Sequence, residues 1–137
     1  MFKRLLLFFI AASLLLAIDH IKLPNGSKVY VNDMNGFGAF VIAALGKKQV
    51  PLIVVTDREK ADFEITGASD SQKAGWAKTI FLGQGGSREE ASINVINMKD
   101  STIAFAYAVN KSNSARGRQS SAEACAKHLK NAMKKKQ

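Results

Sequence analysis

The sequence predicts an α/β (α+β) domain built as a two-layer sandwich, with helices packed on a mixed sheet of about five to six strands in the order β-α-β-β-β-β-β-α. Three observations carry this prediction. Phe37, Phe40, Val41, Ala44 and Leu45 recur at helical spacing. Residues 50–110 hold short apolar or alternating runs separated by turn residues. Ala122, Cys125, Ala126, Leu129, Ala132 and Met133 then form a second helical stripe.

Each element has its own local signal. Pro24-Asn25-Gly26-Ser27 is a turn-rich lead-in, and Val29-Tyr30-Val31 a short first strand. Asp33-Met34-Asn35-Gly36 forms a turn in which Asp33 or Asn35 can cap the helix over residues 37–48. Lys47 and Lys48 close that helix where positive charge meets its dipole favourably. The run Val50-Pro51-Leu52-Ile53-Val54-Val55 is nearly all apolar, as expected of a strand covered on both faces, with Pro51 tolerated only near its start.

After a polar stretch that can make one helical turn, Ala61-Asp62-Phe63-Glu64-Ile65-Thr66-Gly67 alternates strictly, with Phe63 and Ile65 on one face. Asp62 and Glu64 then point outward, with Arg58 and Lys60 as local countercharge, a solvated ion-paired edge. Residues 68–75 read as a loop, 77–84 as a strand and 83–90 as a glycine-rich connection. Residues 91–98 and 102–110 make a hairpin about Lys99-Asp100-Ser101. In its second arm Ile103, Phe105, Tyr107 and Val109 share one face and Ala104, Ala106 and Ala108 the other, so a helix layer is expected against one of them. Ser120 and Glu123 have capping-box spacing, which starts the last helix at residue 120 and runs it to 136.

The N-terminal segment sets the expected domain organisation. Phe2-Lys3-Arg4 precedes fourteen residues from Leu5 to Ile18 interrupted only by Ser13. A short basic region before an apolar one is the pattern of a secretory signal. At about 1.5 Å per residue the run reaches only about 21 Å, short of a hydrocarbon core of roughly 30 Å. Cleavage near residue 18, with Ala17 as the leading −1 candidate although Leu15 at −3 is large, is favoured over an uncleaved anchor, the alternative reading. The organisation is therefore a signal peptide over 1–18 and a single α/β domain over 19–137, and the location periplasmic or secreted, with membrane association as a variant.

The net charge of +9 is unevenly placed. Residues 18–110 carry ten basic and ten acidic side chains, whereas residues 111–137 carry eight basic ones against Glu123 alone. Candidate contacts for an acidic partner are therefore Arg116, Arg118, Lys127, Lys130, Lys134, Lys135 and Lys136, with Lys127, Lys130 and Lys134 opposite the apolar stripe. A basic helix end that merely complements its own dipole is the competing account.

Catalytic and cofactor chemistry has no support in the sequence. Two histidines, His20 and His128, and one cysteine, Cys125, offer no HExxH or CxxC spacing. Cys125 lies on the apolar stripe and reads as a buried thiol, and with one cysteine no intramolecular disulfide can form. There is no GxSxG or SxxK element. Asn35-Gly36-Phe37-Gly38 lacks the third glycine of a dinucleotide site and the Gly-Lys-Ser/Thr ending of a P-loop, so turn geometry and close packing account for its glycines. Trp76, Tyr30 and Tyr107 are too scattered for a base-stacking platform. No catalytic residue, cofactor, metal, small-molecule substrate or nucleic-acid partner is expected.

The order strand, helix, strand, then Ala61-Asp62-Phe63-Glu64-Ile65-Thr66-Gly67, a long hairpin and a final helix resembles the small periplasmic α/β domain shared by CsgG, LpoB and the N-terminal part of TolB. The likeness spans about residues 27–136. It implies a sheet with helices packed on it, an envelope location and protein binding rather than catalysis. The chain lacks the lipobox cysteine and the membrane-spanning hairpins of the secretion pore, so neither lipid tethering nor pore formation is carried over. The expected function is a non-enzymatic envelope domain that binds a protein partner. The alternative is an electrostatic binder of anionic lipid, wall polymer or another polyanion through its basic C-terminal segment.

Overall fold

The computed structural model describes residues 23–72, 88–112 and 117–135. Five strands and two helices follow one another as β1 (Lys28–Val31), α1 (Phe37–Lys47), β2 (Ile53–Val55), a 3-10 turn (Arg58–Lys60), β3 (Phe63–Gln72), β4 (Arg88–Asn97), β5 (Ile103–Ser112) and α2 (Gly117–Lys134). The sheet order is β2-β1-β3-β4-β5, so β2 and β5 are its edges. β1 is parallel to β2 and β3, while β4 is antiparallel to β3 and β5. Both edge strands therefore run in the same direction.

The alternation read from the sequence sets the two faces. Val31, Ile65, Val95 and Phe105 lie in register across four strands and all are buried. They meet Phe37, Val41, Ala44 and Leu45 of α1 and Ala122, Cys125, Ala126, Leu129 and Met133 of α2 in one core. Both helices thus lie on the same face. They start at the same end, where Arg118 Nη1 donates to the Asn35 carbonyl at 3.2 Å, and finish together, where Lys130 Nζ donates to the Lys48 carbonyl at 2.7 Å. The fold is the two-layer α/β sandwich that the periodicity predicts.

Two glycines mark where backbone approaches backbone. A Cβ at Gly67 would collide with the Ser92 carbonyl oxygen across the β3–β4 ladder, and one at Gly38 with the Asn32 carbonyl oxygen at the entry to α1. Close packing, the reading favoured for Gly38, is what the structure shows.

Several expectations are corrected. β2 is an edge strand and not one covered on both faces: Val50 is buried, but Ile53 and Val54 are 51% and 37% exposed. Apolar content cannot distinguish a central strand from an uncharged edge, and the order of strands decides it. The stretch read as a loop from residue 68 continues β3 to Gln72, paired through Gln72↔Arg88. The expected strand over residues 77–84 lies outside the described residues. α2 begins at Gly117, which puts Ser120 inside its first turn. The Glu123 carboxylate goes instead to Lys47, Lys48 and Gln119. At α1 the cap position is Gly36, with φ of 83°, and the Asp33 carboxylate accepts the Gly36 N–H at 3.1 Å.

Ile103 lies on the face opposite to the one expected. Strict alternation puts it with Phe105 on the helix-bearing face, but the β4–β5 register shifts between Val95 and Ile96. Ile103 therefore pairs with Ile96, which pairs with Glu64 on the opposite face. It is 62% exposed there, at the β5 edge.

Candidate interaction surfaces

The open face of the sheet is crossed by one row, Val55–Tyr30–Glu64–Ile96–Ile103, given by the pairing of all five strands. Its centre is shielded by the connection from β2 to β3. Arg58 in that connection donates to Glu64 Oε2 from Nε at 3.2 Å and from Nη2 at 2.8 Å, while Asn32 Nδ2 donates to Oε1 at 3.4 Å. Glu64 is consequently only 9% exposed, which corrects the expectation of a solvated carboxylate beside Asp62. The guanidinium hydrogen bonds hold its carboxyl below the ordinary range; burial opposes this and Asn32 adds to it. Both oxygens of the carboxylate thus accept hydrogen bonds, and those from Arg58 hold the crossover in place.

At the ends of the row the sheet has apolar edges. β2 carries Ile53, Val54 and Val55 with no charged residue. Ile53 N–H donates to the Ser27 carbonyl at 2.9 Å, so alternation turns the Val54 amide and carbonyl away from β1, on the side where the sheet ends. Such an edge can template a further strand: no lysine or bulge guards these three residues, and the strand's shortness, with Pro51 before it, confines the pairing to the Val54 backbone. Ile103 stands at the other end of the sheet on the face that also bears Ile53.

The basic candidates divide. Lys127 and Lys134 are exposed on α2, and Lys135 just beyond its end. Lys130 and Arg118 are half-buried, each tied to a carbonyl on the α1 side, and act as struts between the helices. Arg116 and Lys136 lie outside the described residues. Two further lysines join this side from α1: Lys47 Nζ meets Glu123 Oε1 at 2.6 Å, and Lys48 Nζ meets Oε2 at 3.5 Å. Sequence separation hid them. The signal that could have found them was a Lys-Lys pair closing one helix and an isolated Glu123 on another.

Nothing else in the described residues gathers chemistry. Among them no three His, Cys, Asp or Glu side chains converge as metal ligands. His128 stacks its ring on Tyr107 at 4.1 Å between centroids, which fastens α2 to β5. An open hollow of about 420 Å³ lies over Ala68, Ser92 and Ala108 with Glu90 at its rim, and one of about 290 Å³ lies between Pro24, Asp62, Asn97 and Lys99.

Among the described residues, a single mixed sheet edged by β2 and β5, with two parallel helices on one face, defines a small α/β domain of known fold. That fold is seen in PelC from Paraburkholderia phytofirmans, solved as a dodecamer in two crystal forms. The wild-type chain is 14% identical and superposes with a TM-score of 0.53 over 81% of this chain and 91% of that one. A point variant is 12% identical, also with a TM-score of 0.53, over 81% and 90%. At this identity the likeness concerns the fold. No protein-family model and no curated protein matches the sequence.

Proposed function

We propose that this protein is an exported, non-enzymatic domain of the bacterial cell envelope that works by binding protein through the edges of its sheet. The carrying observation is the uncharged β2 edge, with Ile53 half-exposed and no strand of the described residues paired to the outward backbone of Val54. Monomeric domains blunt such edges, and edges left open are used for strand addition. The signal-like segment over residues 1–18 supports the location. The fold is one that PelC shows in a twelve-copy assembly, and the resemblance of the element order to the CsgG, LpoB and TolB domain would imply protein binding in the envelope.

The partner is an envelope protein or a second copy of the chain. Affinity capture of the tagged chain from detergent-solubilised envelopes tests this, with Ile53→Lys as the comparison. One dominant protein, the untagged chain included, should be retained by the wild type and lost from the variant. Equal capture by both would overturn the assignment to the β2 edge.

A further inference from the structure

α1 is apolar all round, yet only one side of it is buried. Phe37, Val41, Ala44 and Leu45 enter the core, whereas Ala39, Ala43 and Gly46 are exposed on the opposite side. On its two shoulders Phe40 and Ile42 are 39% and 43% exposed. A surface helix normally carries charge on its outer face, and α1 has none before Lys47. The helix beside it has the opposite character. Exposed Lys127 and Lys134 lie on the outward side of α2, and Glu123, the one carboxylate in the seam between the helices, is taken up by Lys47 and Lys48.

We infer that the outer face of the helix layer docks on an anionic lipid bilayer, with α1 lying in the interface and the lysines of both helices meeting headgroup phosphates. This surface is separate from the sheet edges and goes beyond the protein-binding reading. Charge complementarity favours lipid over protein as the occupant: protein interface cores are depleted in lysine, whereas an apolar strip rimmed by lysines is the composition of interfacial helices. Geometry sets the mode. The 11 residues of α1 span about 16 Å, roughly half a hydrocarbon core, so the helix lies on the membrane and does not cross it.

The test reads depth at one position, because the apolar N-terminal segment of the full chain can bind lipid by itself. Ala43→Cys and, as a control on the hairpin turn, Lys99→Cys are spin-labelled in the full chain, the native Cys125 being buried. Labels are then compared by oxygen and nickel-complex accessibility on vesicles of phosphatidylcholine with phosphatidylglycerol. The label at position 43 should report lipid depth and the label at 99 water. Removing Lys127 and Lys134 by substitution with Gln should lower the docked-to-free ratio by roughly fivefold for each lysine. A label at 43 that stays aqueous on vesicles would overturn the inference. So would one already immobilised before lipid is added, which would mean that protein covers this face.

Discussion

Arg58 grips the Glu64 carboxylate with two hydrogen bonds and thereby clamps the β2–β3 connection across the open face of the sheet. The pair is asymmetric, since Arg58 is largely exposed while Glu64 is nearly buried. Glu64→Gln keeps the shape and removes the charge, leaving the Arg58 side chain a weaker acceptor. Loss of one charge-assisted pair at a nearly buried carboxylate should cost about 1 kcal/mol, read as a lower melting temperature.

Acid should act through the same carboxylate. The folded-state value for Glu64 lies below the ordinary 4.5, chiefly through the Arg58 hydrogen bonds, and Glu123 is lowered likewise, chiefly by the Lys47 hydrogen bond. Groups depressed on folding stabilise fully above the unfolded value, and that contribution is lost as pH falls through the folded value. Thermal melts should therefore be level from pH 7 down to about 5 and decline below about 4.5. In Glu64→Gln the decline should be shallower; an identical acid limb would show that the pair does not respond to proton binding.

Gly67 and Gly46 should respond to alanine in opposite ways. At Gly67 a methyl group meets the Ser92 carbonyl with no room to yield, so Gly67→Ala should cost about 2 kcal/mol or more. Nothing lies near a Cβ at Gly46 and the position is helical, so Gly46→Ala should stabilise by about 0.5–1 kcal/mol. Chemical denaturation of the two variants measures both signs.

The faces of α2 allow a similar contrast. Leu129 is fully buried, and Leu129→Ala should cost about 2–5 kcal/mol through lost burial and a cavity. Lys127 is exposed and Lys127→Glu should leave the melting temperature nearly unchanged. Lys130→Glu should fall between them, because its ammonium holds the Lys48 carbonyl at the end of α1. A neutral Lys130→Glu would mean that this strut contributes nothing.

These contrasts show which parts of the molecule a sequence discloses. Periodicity disclosed the buried face of α2, all but Phe40 of that of α1, the Phe63/Ile65 alternation and the hairpin, because each depends on neighbours within a few residues. Strand order is non-local, and that is why the apolar run ending at Val55 read as central when it is an edge. The register shift after Val95 is a single irregularity in backbone pairing, and it alone moved Ile103 to the other face. The basic surface was legible on α2 but incomplete, since Lys47 and Lys48 join it only once the helices lie side by side. The apolar outer face of α1 was visible as composition, yet Phe40 read as core because a helix with apolar residues on every side does not disclose which of them faces water.

Photo-crosslinking in living cells decides whether the β2 edge binds protein. A photoreactive amino acid is placed at Ile53 and, for comparison, at Lys99 on the exposed hairpin turn. A discrete crosslinked protein from position 53, absent from position 99, is the predicted result, and mass spectrometry would identify it as an envelope protein or as the chain itself. No adduct at 53, or the same adducts from both positions, would contradict the account.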